Sequence, residues 1–148
     1  MQSQITKLEY RVPADLLEKE VERLGIPKPL VPLTVEAAPI VGTWVNTDHK
    51  TRGLVRLMIA AKGNEVTIHA FGACSPTPCD WGTVQGLIYA DSVAEIPAVA
   101  FSALYTFSFK QTTIVGHLLK GTLFAETFDH FTDNSGRADY YSLEIMSQ

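Results

Sequence analysis

From residue 40 onward, apolar and polar residues alternate with a period of two, the signature of strands that are buried on one face. Phe101, Ala103, Tyr105, Phe107 and Phe109 alternate with Ser102, Leu104, Thr106, Ser108 and Lys110, so the odd positions are expected to face a buried interior. Tyr141, Leu143 and Ile145 alternate in the same way with Tyr140, Ser142 and Glu144 and are expected inside as well. The pattern predicts eight strands, at 40–46, 53–61, 65–72, 82–90, 98–110, 112–120, 122–132 and 137–146. Turn residues separate them. Lys62-Gly63-Asn64, Lys120-Gly121 and Asp133-Asn134-Ser135-Gly136 supply residues that tolerate the positive φ of a tight reversal. The gaps are short and none carries a helical pattern, which excludes parallel βαβ architecture and leaves an antiparallel meander. The expected fold class is therefore all-β, an eight-stranded antiparallel up-and-down barrel, because closure removes both sheet edges. A sandwich is the competing arrangement.

Residues 1–39 read differently. Leu16, Leu17, Val21 and Leu24 recur at helical spacing among charged residues, and Gly25 followed by Pro27 and Pro29 ends the run. This short N-terminal helix leads into an extended Pro-rich arm, with Pro27, Pro29, Pro32 and Pro39 along it. Two units follow, the helix and arm over 1–39 and the barrel over 40–148. Two barrel strands are apolar on both faces: Leu54, Val55, Leu57, Met58 and Ile59 in one, Ile114, Val115, Leu118 and Leu119 in the other. A wall facing water should not look like that. The helix and arm are expected to cover those strands, with a homodimer contact as well.

Composition narrows the range of functions. Of 148 residues, 46% are hydrophobic and 19% charged, enough apolar surface to offset the ordering entropy of a folded domain. The net charge is −4 and no two Lys or Arg residues are adjacent, so nucleic acid is not an expected partner. No apolar run is long enough for a membrane-spanning helix. Met1 to Arg11 lacks the apolar core of a signal peptide, so the chain as written reads as cytoplasmic; removal of a leader would make it secreted or periplasmic.

Candidate chemistry begins at Gly42-Thr43-Trp44-Val45-Asn46. This segment resembles the G-x-W signature that opens the first strand of lipocalins and avidins, which are calycin-like up-and-down barrels. The resemblance implies that Trp44 plugs one barrel end, packed by an Arg from near the last strand, for which Arg137 is the matching candidate. It also implies that Asn46 lines a ligand pocket. The avidin tryptophan set and its downstream serine and aspartate ligands have no counterpart here. GTWVNTD, TRGLVRL, FGACSPTPCDWG and SGRADYYS together also resemble a bacterial family of small soluble or exported domains without an assigned activity.

Cys74 and Cys79 are the only cysteines, and the Ser-Pro-Thr-Pro between them holds both in one loop. A disulfide is one reading; reduced structural thiols or a metal or redox pair are the others. Trp81, directly after this loop, is a candidate for stacking on a ligand at a barrel mouth. Tyr105 and Phe107 provide an aromatic inner face. In the seventh strand, Glu126 and His130 share a face with Phe124 and Phe128. If that face is interior, a carboxylate and an imidazole lie in an aromatic cavity; if it is exterior, Leu123, Ala125 and Phe131 form the core instead. No nucleophile elbow, phosphate loop, zinc-protease motif or dinucleotide fingerprint occurs, and no cofactor is expected. The reading that follows is a non-enzymatic barrel binding a small, mostly apolar molecule. The alternatives are a structural or interaction module acting as a homo-oligomer, or an enzyme using Glu126, His130, His69 or His117 inside the barrel.

Overall fold

The computed structural model describes residues 23–25 and 34–148. Eight strands follow one another along the chain: β1 (Gly42–Asn46), β2 (Leu54–Lys62), β3 (Glu65–Gly72), β4 (Cys79–Ala90), β5 (Ala98–Thr106), β6 (Lys110–Leu119), β7 (Thr122–Phe131) and β8 (Tyr140–Ser147). Each pairs antiparallel with the next, and β8 returns to pair with β1, so the sheet is a closed barrel and the sandwich is excluded. The turn residues behave as their chemistry demands. Gly63 (φ 61°), Lys120 and Gly121 (φ 50° and 79°), and Asn134 and Gly136 (φ 56° and 76°) all occupy left-handed backbone. One expected strand is shorter than its pattern: β5 stops at Thr106, and Phe107-Ser108-Phe109 form the turn, closed by the Phe107 N–H on the Lys110 carbonyl at 2.8 Å. Phe109 therefore lies at a loop tip, 38% exposed, and not in the interior.

Of the expected helix, only the last residues are described; Gly25 takes the φ of 69° suited to a helix-ending glycine, and the rest lies outside the described residues. The end of the arm belongs to the barrel's compact unit, which begins at Thr34. Glu36 bridges to Pro97, its N–H donating to the Ile96 carbonyl at 2.6 Å and its carbonyl accepting from the Ala98 N–H at 2.8 Å. No helix among the described residues is long and apolar enough to cross a membrane.

The interior is solid at one end. Ile40, Trp44, Phe101, Ile114, Leu123 and Met146 are all essentially inaccessible to water there. Trp44 is 2% exposed, and its indole N–H donates to the Ile40 carbonyl at 2.9 Å, so the one polar atom of the plug is satisfied. Phe101 lies flat over Gly116, where any Cβ would overlap the ring. Trp44 is thus the expected plug. Arg137 does not pack it. That residue sits in the β7–β8 loop at the opposite end, 4.2 Å above the Phe131 ring and 2.8 Å from the Asp133 carboxylate.

The phase of β8 is the reverse of the expected one. Tyr141, Leu143 and Ile145 face outward, 52%, 47% and 43% exposed, while Met146 is fully buried and Ser142 and Glu144 point inward with it. The pairing explains why. Met146 lies beside Asn46 and Leu123, both of them inward, which leaves its odd-numbered neighbours outside. The two-faced strands likewise put Leu54, Leu57, Ile59 and Ile114 inside and leave Met58 and Leu119 half-exposed on the outer wall.

Replacing Trp44 with Ala removes the plug and leaves a void that the closed wall cannot refill, a loss of about 3–5 kcal/mol. Trp81, only partly buried, should cost clearly less on the same change. Thermal melts of the two variants compare them directly; equal, small losses would show that Trp44 closes nothing.

Candidate functional site

At the end opposite Trp44 the barrel is not filled. A cavity of about 400 Å³ opens there, between the β1–β2 loop, the β3–β4 loop and the inward positions of β4, β6, β7 and β8. Its two sides differ in chemistry. On one, Trp81 lies over Gly72, where an added Cβ would come within 2.6 Å of the indole nitrogen, and the Cys74–Cys79 disulfide closes the adjacent rim with a Cα–Cα distance of 5.4 Å. Edge contacts to Tyr105 and Phe107, at ring-centroid distances of 5.8 and 5.6 Å, hold the Trp81 ring. On the other side, β7 and β8 contribute Thr127, Asp129, Ser142 and Glu144.

Each polar group there has partners. Asp129 is 5% exposed, and its Oδ1 receives both the Lys110 ammonium at 2.9 Å and the Thr112 hydroxyl, so a buried charge is offset by an opposite charge and a donor. The Lys110 ammonium in turn lies 5.4 Å from the centre of the Trp81 ring and 5.7 Å from that of Phe107. Thr127 and Ser142 share a hydrogen bond across the β7–β8 ladder. Glu144 accepts from the Asn46 amide at 2.7 Å and from the Thr51 hydroxyl at 3.0 Å.

Burial raises the phenol of Tyr105 to about 12, against the Ala70 N–H, which favours the phenolate, and with the Asp80 charge adding to the rise. Tyr140, at the cavity mouth, is raised by burial first and by the neighbouring Asp129 carboxylate second. On the outer surface, Asp80 is lowered by the Gly82 N–H and then by His69, and Asp139 by His130 and then by the Phe131 N–H.

The residues singled out in the sequence fall into four groups. Trp81 lines the cavity. Asn46 points inward but is engaged: its amide also donates to the Leu54 carbonyl at 2.7 Å, and its oxygen accepts from the Asp48 N–H at 2.8 Å, so it orients Glu144 and the β1–β2 loop. Tyr105 and Phe107 lie behind Trp81. The Tyr105 hydroxyl accepts from the Ala70 N–H at 3.1 Å and sits 2.7 and 2.9 Å from the Ile68 and Gly82 carbonyls, which stitches three strand segments together. Glu126 and His130 face outward, the second of the two arrangements considered, with His130 on the Asp139 carboxylate at 2.7 Å. His69 and His117 lie outside too, stacked on Phe71 and Phe124. An acid–base pair built from these residues inside the barrel is therefore overturned: the inward phase of β7 belongs to Leu123, Ala125, Thr127 and Asp129. Lys110, Asp129 and Glu144 were not singled out. The available signal was the change from apolar to polar along one phase, Leu123-Ala125 to Thr127-Asp129 in β7 and Met146 to Glu144-Ser142 in β8.

No cluster of three or more His, Cys, Asp or Glu side chains suited to a metal is found among the described residues. No family model, curated protein or solved structure matches the chain.

The Tyr105 phenol gives a direct check on this packing. Its pKa is raised from 10 to about 12, so the unfolded chain releases this proton first; the contribution to stability is whole below about pH 10 and is lost as the pH climbs towards 12. Ultraviolet titration of Tyr105→Phe against the parent should remove one late-ionising phenol. Losing its hydroxyl should cost about 1–3 kcal/mol, since backbone groups are left unpaired. A missing tyrosine that titrates near pH 10 would contradict the assignment.

Proposed function

We propose that this barrel binds a small organic molecule in the cavity at its open end. The carrying observation is the cavity itself, about 400 Å³ between a fixed indole and a row of inward polar side chains. That volume is typical of small-molecule sites, and such a mixture of an apolar face with a few placed polar groups is what fixes a ligand's orientation. A closed eight-stranded meander with Trp44 in its first strand is compatible with a calycin-like barrel, whose open end is the natural entry. The ligand is of mixed character. The apolar half of the interior is occupied by the protein's own side chains, so the mostly apolar ligand expected from the aromatic strand finds only the Trp81 side and the disulfide. The disulfide also supports the exported alternative over a reducing cytoplasm.

A second reading, self-association, draws on the outer wall. Leu143, Ile145, Val45 and Met58 stand half-exposed on β8, β1 and β2, which are neighbours in the sheet, and a second copy would cover them. Sedimentation at micromolar concentration as a dimer that Leu143→Lys dissociates would support it; a monomer would end it.

Ligand-observed NMR with a library of aromatic fragments tests the main reading. Binders are expected, and Ser142→Phe, which fills the cavity without touching the plug, should abolish their signals. This variant leaves the buried Thr127 hydroxyl without its partner and should melt below the parent while keeping a cooperative unfolding transition. Absence of any binder, or binders indifferent to Ser142→Phe, would defeat the proposal.

A further inference from the structure

The charges around the cavity are unequal in how they are satisfied. Lys110 and Arg52 are its cations, Asp129 and Glu144 its carboxylates. Lys110 is committed to Asp129 at 2.9 Å and is itself only 12% exposed, so the two form a closed pair. Arg52 is exposed on the β1–β2 loop and lies within ion-pair distance of neither carboxylate. Glu144 is left with neutral donors alone, the Asn46 amide and the Thr51 hydroxyl, and no Lys or Arg among the described residues reaches it. Those donors aim the carboxylate without neutralising it. Gly53 supplies the room, because any Cβ there would overlap the Glu144 oxygen.

A carboxylate held in this way on a cavity wall accepts hydrogen bonds and offers none, and its strongest partner is a cationic donor. An anionic ligand entering the same space would lie against the Glu144 carboxylate, which carries no cation of its own, where water is partly excluded, an arrangement that strengthens repulsion. The Trp81 ring across the cavity offers an aromatic surface to a flat ring, while its attraction for positive charge is already used by Lys110, 5.4 Å from its centre, so Glu144 alone receives a ligand's cation.

Resting on the proposed binding role, we infer that the cavity selects planar ring compounds that carry a protonated amine or amidine, with Glu144 receiving the cation and Trp81 the ring. Three matched probes separate the possibilities on the full chain with its disulfide intact: benzamidine, benzamide and benzoate, titrated by calorimetry and ligand-observed NMR. Benzamidine should bind at least tenfold more tightly than benzamide, about the worth of one charge-assisted hydrogen bond, and benzoate should not bind. Glu144→Gln keeps one acceptor oxygen for the Asn46 amide and turns its own N–H group toward the Thr51 hydroxyl, which can accept. It therefore removes the charge with the wall in place and should bring benzamidine down to the level of benzamide. Added salt should weaken benzamidine and leave benzamide unchanged, a readout on the parent protein that needs no variant. Benzoate binding as tightly as benzamidine, a salt-independent benzamidine affinity, or an unaltered affinity in a folded Glu144→Gln would overturn the inference. In those cases ring probes still displaced by Ser142→Phe would leave the binding role standing, whereas no probe binding at all would remove both.

Discussion

Closing a sheet into a barrel fixes the facing of every strand at once, because the last strand must meet the first in a register that the others have already determined. The seam here is short. Val45 meets Ser147 and Asn46 meets Met146, and side-chain and flanking bonds extend the seam: the Asn46 amide donates to Glu144 and the Thr47 N–H to the Ile145 carbonyl. Met146 lies between Asn46 and Leu123 in that arrangement and is fully buried. One consequence is that Trp44 and Ile40 fill one end. The other is that Ser142 and Glu144, in phase with Met146, must point inward at the opposite end, where they would be costly without partners or space. The cavity is the fold's solution to polar residues in an inward phase.

The same geometry accounts for where the buried charge lies. The Asp129–Lys110 pair sits between β7 and β6, with Thr112 on the same carboxylate oxygen. A hydrophobic pair of equal volume there would cost the fold little and often stabilises a protein. Its retention beside the cavity, together with that of Glu144 on neutral donors, is the pattern of a site that gives up core packing in order to hold polar groups in fixed positions. Among the described residues nothing comparable occurs at the Trp44 end, where the indole N–H on the Ile40 carbonyl is satisfied locally.

Much of this was legible in the sequence. Glycine and asparagine at the reversals, short gaps and period-two alternation specify eight antiparallel strands, and Gly42-Thr43-Trp44 marks the plug. The facing of β8 was not legible, for a physical reason. Its outward set, Tyr141, Leu143 and Ile145, is more hydrophobic than its inward set, so alternation alone points the wrong way, and only the ring of hydrogen bonds decides. The site residues escaped for a related reason. Lys110, Asp129 and Glu144 belong to three different strands, and no local motif joins them. Asn46 was visible only through the resemblance carried by Gly42-Thr43-Trp44-Val45-Asn46, and Trp81 because it follows the cysteine loop.

The open end poses a structural problem that the plugged end does not. Without a plug, its loops have no core beneath them, and the Trp81 ring would be free to swing into the cavity. Three restraints prevent this. Gly72 lets the indole lie against the β3 backbone, Tyr105 and Phe107 support it from behind, and the Cys74–Cys79 bridge shortens the loop that leads into β4. The disulfide's modest loop-closure term matters less than its place, since it holds the segment immediately before Trp81. A cavity whose aromatic side is locked and whose carboxylate is aimed by Asn46 and Thr51 is organised before any ligand arrives, which lowers the ordering cost of binding. The solid end and the organised open end are therefore one design: the plug supplies the stability that the unfilled half gives up.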